Sequence, residues 1–98
     1  MVRHIVFWKL REDYAAPEQA HYALQVLTAS TETLLGIDGL QQAHIGRNLA
    51  GGAYDLIFYA EFADADALEH FREHPLHVAH RERCAPYVTG RLTGDLIE

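Results

Sequence analysis

Cysteine is nearly absent from this sequence. The single Cys84 excludes a disulfide within one chain, and a reducing, cytoplasmic setting is expected. Cys84 itself reads as a small apolar residue in or near the core. Positive charge is also scarce: eight Lys and Arg stand against fourteen Asp and Glu, a net charge of −6. Non-specific nucleic-acid binding needs a basic face that displaces counterions from phosphates, so no nucleic-acid partner is expected. Long apolar runs are missing too. No stretch nears the roughly 20 apolar residues of a helical membrane span. Val2–Leu10 is too short for a secretory signal and carries Arg3, His4 and Lys9. No membrane partner is expected either. There is no repeat, linker or low-complexity tract.

What is present suits one domain over residues 1–98. Hydrophobic residues make up 49% and charged residues 22%, ordinary values for a globular chain. A chain of this size hides roughly 60–70% of its unfolded surface on folding.

Val2–Leu10 is rich in β-branched and aromatic residues and reads as a strand. Val2, His4, Val6, Trp8 and Leu10 share one face, Ile5 and Phe7 the other. Pro17 suits a first helical position, with Glu18 opposing the helix dipole. Ala20, Leu24, Leu27, Thr31 and Leu34 then form one stripe, which predicts a helix over Pro17–Leu35. Gly36 is a plausible stop and Asp38-Gly39 a turn. Leu40–Asn48 and Tyr54–Phe62 read as strands around the Ala50-Gly51-Gly52 turn, which no helix or lysine follows and which is no phosphate loop. Asp64 or Asp66 can cap the next helix, from which Leu68 and Phe71 point inward. Val88–Ile97 is the last strand, with bulges or close backbone approach expected at Gly90 and Gly94. The order strand, helix, strand, strand, helix, strand predicts a ferredoxin-like α+β fold with a four-stranded antiparallel sheet. The first and third strands are apolar on both faces. Helices on one side leave the other bare, which predicts a homodimer that stacks two sheets.

Four of the seven histidines fall in His70–His80. Pro75 disfavours a helical His74 and suits the first turn of a new helix, so one helix ends near His74 and another starts at Pro75. The corner presents His74 and His77 close together, just after Phe71. Spacings of four, three and three would align His70, His74, His77 and His80 on a straight helix. Pro75 breaks that line and no metal site is expected; the bland reading is a polar helix surface facing solvent.

With these residues in view, the chain resembles the stress-responsive A/B barrel (Dabb) domain family of the dimeric α+β barrel superfamily. The carriers are His4–Leu10, Ile45-Gly46-Arg47-Asn48, Tyr54-Asp55, Phe62–Leu68 and the HP-x-H element His74-Pro75-Leu76-His77. The resemblance implies a homodimer whose two sheets form a barrel and a cavity in each subunit between sheet and helices; no cofactor is expected. One plant branch is a polyketide cyclase that performs an intramolecular aldol condensation with a histidine and a tyrosine. That histidine falls on His77, and the strand histidine of the same pocket on His4. The tyrosine position holds Phe71, so its hydroxyl is missing here.

His77 is the expected acid–base residue, since an imidazole titrates near neutral pH, with His4 assisting. Phe71, Trp8, Val6, His74 and Arg81 are the expected ligand contacts, and Tyr22 and Phe58 are further candidates for an apolar wall. Three readings stand: a histidine-dependent lyase or cyclase acting on a carbonyl-containing, polyketide-like metabolite; a non-catalytic stress-associated homodimer; and a cofactor-free monooxygenase of the same superfamily.

Overall fold

The computed structural model describes all residues, Met1–Glu98. Four strands, β1 (Val2–Leu10), β2 (Leu40–Arg47), β3 (Leu56–Phe62) and β4 (Val88–Ile97), form one antiparallel sheet in the order β2-β3-β1-β4. Three helices, α1 (Pro17–Glu32), α2 (Ala65–Glu73) and α3 (Pro75–Cys84), connect them. This is the ferredoxin-like arrangement expected from the sequence. No helix is long and apolar enough to cross a membrane.

α1 begins at Pro17 as expected but ends as an α-helix at Glu32, giving way to a tighter turn over Thr33–Gly36. The hydroxyls of Thr31 and Thr33 donate back to the Leu27 and Ser30 carbonyls, at 2.8 and 2.6 Å, and compete with the helical ladder there. The expected stripe is buried at Ala20, Leu27, Thr31 and Leu34, with Ala23 and Ser30 added and Leu24 only half-buried. Asp64, not Asp66, caps α2, accepting from the Ala67 N–H at 2.9 Å. The Asp38-Gly39 turn runs directly beneath that cap. A Cβ on Gly39 would lie 2.5 Å from the Ala67 Cβ, and its φ of +85° favours glycine in any case.

Pro75 acts as read from the sequence. His74 is extended, with φ −64° and ψ 136°, and stands both at the end of α2 and at the start of α3. Its Nδ1 accepts from the Leu76 N–H at 3.1 Å, and its carbonyl accepts from the N–H groups of His77 and Val78.

On β1 and β3 the residues alternate strictly. Val2, His4 and Val6 face the helices together with Leu56, Phe58, Ala60 and Phe62. These pack with Leu34, Ile37, Leu68 and Phe71, while Leu27, Leu56, Cys84 and Val88 form a smaller cluster beside them. The opposite face, with Ile5, Phe7, Ile57 and Tyr59, carries no covering layer. On β4, Leu92 and Leu96 pair with Phe7 and Arg3 on that same face and are 50% and 51% exposed. Between Lys9↔Thr89 and Phe7↔Leu92 the β4 strand holds one residue more than β1. Gly90, with φ +62°, makes that bulge possible; Gly94 keeps a negative φ opposite Ile5.

Candidate functional site

The bulge end of β4, the inner face of β1 and the second half of α3 enclose a cavity of about 160 Å³. Its floor is His4, Val6, Trp8 and Phe58 from the sheet. Its sides are Phe71 from α2 and His77, His80, Arg81 and Cys84 from α3, and Ala85, Val88 and Arg91 complete it. Six of the residues singled out from the sequence therefore meet here: His77, His4, Phe71, Trp8, Val6 and Arg81. Phe58 joins them. Tyr22 lies elsewhere, its ring tilted against that of Tyr87 at 6.2 Å. His74 is also absent from the wall. Its imidazole is turned back to cap α3 and borders a separate polar depression with His70, Glu73 and Asp38. The corner thus separates His74 from His77 instead of bringing them to one ligand.

His4 is 4% exposed. Its Nδ1–H donates to Asp95 Oδ1 at 2.5 Å, across the rung that pairs the two residues. Asp95 in turn accepts from Arg72 at 3.4 Å. The rings of Phe58, Phe62 and Phe71 surround the imidazole edge-on, at 6.2–6.3 Å. Burial lowers the His4 pKa, and the bond to Asp95 only partly offsets this. A neutral imidazole that donates from Nδ1 keeps a lone pair on Nε2. Nε2 makes no hydrogen bond, yet no buried side-chain nitrogen or oxygen lacks a partner, so Nε2 opens to the cavity.

His77 repeats this arrangement from the other side. Its Nδ1–H donates to the Arg72 carbonyl at 3.0 Å, leaving Nε2 free, and its ring lies 4.2 Å from that of Phe71. Burial lowers its pKa as well, helped by the positive charges of Arg81 and Arg91. Phe71 packs against both imidazoles, its ring 6.3 Å from that of His4 and 4.2 Å from that of His77.

His80 corrects the expectation of a solvent-facing polar helix surface: it is 3% exposed. Arg83 Nε donates to Ser30 Oγ at 2.8 Å, and the same hydroxyl is hydrogen-bonded to His80 Nδ1, also at 2.8 Å. His80 Nε2 lies 3.5 Å from Cys84 Sγ. Burial, aided by His77 and Arg83, pushes the His80 pKa down to about 4. Burial raises the Cys84 thiol to about 11, so Cys84 is the inert apolar residue expected. The cavity therefore combines two imidazole acceptors, His4 and His77, with His80 in its wall.

His80, Asp95 and Arg91 were not found from the sequence. Cys84, four residues after His80, marks the buried face of α3 and was a usable signal. Asp95 and Arg91 depend on the register of β4, which the bulge shifts by one residue.

The sheet order and this cavity define a ferredoxin-like α+β protein with a small, histidine-lined pocket between sheet and helices. The chain belongs to the stress responsive A/B barrel domain family, which it matches over residues 2–98. No curated protein sequence matches it. Among solved structures it is similar to a dimeric protein of unknown function with a ferredoxin-like fold from Bacteroides fragilis, at 28% identity over 97% of this chain and 93% of that one, with a TM-score of 0.81. It is also similar to a Dabb family protein from Mesorhizobium loti, at 27% identity over 99% and 95% of the two chains, with a TM-score of 0.75. A cofactor-independent oxygenase, SnoaB from Streptomyces nogalater, shares the fold at 13% identity over 99% and 91%, with a TM-score of 0.71.

Proposed function

We propose that the protein is a cytoplasmic homodimer whose cavity binds a small carbonyl compound and moves a proton at the carbon beside that carbonyl, in the manner of a lyase or cyclase. The observation that carries this reading is that His4 and His77 each spend Nδ1 on a fixed acceptor, keep Nε2 free of any hydrogen bond and line the same largely apolar cavity. His77 Nε2 takes the proton and the C–H pair becomes an enolate; a carbon–carbon bond forms when the enolate attacks a second carbonyl of the same molecule. The resulting alkoxide then recovers a proton from the imidazolium. His4, held by Asp95, orients the ligand. At about 160 Å³ the cavity is below the roughly 300–1,000 Å³ of drug-sized sites, which favours a short carbonyl compound over a long polyketide chain.

Phe71 favours a second reading, a stress-associated dimer that binds a ligand without turnover, because it sets a plain ring and not a hydroxyl beside the imidazoles. The cofactor-free monooxygenase reading has only the shared fold behind it. Deuterium uptake from D2O at the carbon beside the carbonyl, followed by NMR on short ketones and diketones, separates the first two readings. Wild-type protein should accelerate uptake and His77→Ala should lose at least about 100-fold of that rate. No acceleration by the wild type across the set would leave the non-catalytic reading. The dimer is supported by the bare apolar sheet face and by relatives described as dimeric.

A further inference from the structure

Half of the eight basic residues of this acidic chain are occupied. Arg3 is held by Glu61 and Glu98, and Arg72 by Asp95 and Glu69. Arg11 donates to the Ala85 carbonyl, and Arg83 to Ser30 and Thr33. Lys9 lies over the Tyr54 ring and makes no hydrogen bond or ion pair, nor do Arg47, Arg81 and Arg91; of these three free guanidiniums two line the cavity. Arg81 lies in the last turn of α3, where a cation is favoured anyway. Arg91 has no such reason. It reaches the inner face because the extra residue at Gly90 turns it there, and bulges commonly re-aim a side chain beside a site. Arg91 is close enough to lower the pKa of both His4 and His77. The cavity thus has imidazoles at its floor and side and two uncompensated guanidiniums on different elements at its rim.

We propose that the ligand carries a carboxylate, held at the cavity mouth between Arg81 on α3 and Arg91 on the β4 bulge, with its carbonyl end toward His4 and His77. This rests on the acid–base reading for the carbonyl and adds the substrate class, a short oxo acid. A guanidinium offers paired N–H donors that match a carboxylate edge. A phosphate dianion is better served by a helix N-terminus, and α3 presents its C-terminal half to the cavity. The same cations also favour the enolate over the neutral ketone once the proton has left.

The test is an NMR titration of 15N-labelled protein with 4-oxopentanoate, with its neutral counterpart 2-pentanone, and with inorganic phosphate. 4-Oxopentanoate should shift resonances of the cavity residues and bind about tenfold tighter than 2-pentanone. Arg81→Gln and Arg91→Gln should each weaken it about threefold to tenfold, and added salt should narrow the gap. Both side chains are exposed, so the variants should keep the native spectrum. Equal affinity for the acid and the ketone, unchanged affinity in both variants, phosphate binding as tightly as the oxo acid, or no cavity shifts at high 4-oxopentanoate would each overturn the proposal. Deuterium uptake at C3 and C5 of the same probe reads the acid–base reaction separately. Arginine-dependent binding without uptake keeps the carboxylate site and removes the reaction; uptake as fast in 2-pentanone as in the acid keeps the reaction and removes the site.

Discussion

At the residue scale the molecule turns on which nitrogen of each histidine is already engaged. His4 and His77 were legible in the sequence because one sits on an apolar strand face and the other follows Pro75. His80 was not, since its burial depends on Ser30 and Arg83 arriving from α1 and α3 together. Its position has a cost at low pH. The unfolded imidazole has its ordinary pKa of 6.5 and the folded one about 4. As the pH falls below 6.5 the unfolded chain binds the proton first, so stability is lost from there down to about 4. His4 and His77 shift in the same direction and add to the loss. Thermal unfolding followed from pH 7 to pH 4.5 should show a decline to which His80 contributes up to about 2–3 kcal/mol. His80→Gln should begin less stable at pH 7 and decline less steeply. An unchanged slope in that variant would show that His80 is not the buried neutral group described.

At the element scale most boundaries followed from local signals. Pro17, Pro75 and the glycine turns fall where a fixed or positive φ is required, and strand alternation gave the inner faces of β1 and β3. The early end of α1 was hidden because two threonine hydroxyls, not a stop residue, loosen its last turn. The β4 register was hidden because Gly90 and Gly94 looked alike in sequence and only Gly90 takes a positive φ. Two substitutions gauge the α2 start. Asp64→Ala should cost about 1 kcal/mol in chemical denaturation through the lost cap. Gly39→Ala should cost more, about 2–4 kcal/mol, because it meets Ala67 and must also hold a left-handed backbone. Equal effects of the two would mean that the turn relaxes away from α2.

At the scale of the whole molecule, the helices cover one side of the sheet and leave Ile5, Phe7, Ile57, Tyr59, Leu92 and Leu96 on the other. Apolar residues on both faces of β1 and β3 were visible in the sequence; the contribution of β4 was not, because it needs the pairing of Leu92 with Phe7. Light scattering should give twice the 11.1 kDa chain mass for the wild type, and Phe7→Glu should shift the protein to the single-chain mass while the helical circular dichroism persists. The bulge carries a further consequence beyond the pocket. β4 lies at the edge of the sheet with a row of unpaired backbone groups, the kind of border on which stray chains polymerise. One extra residue at Gly90 twists that border out of register. The distortion that turns Arg91 toward the cavity thereby also spoils β4 as a template for fibril growth.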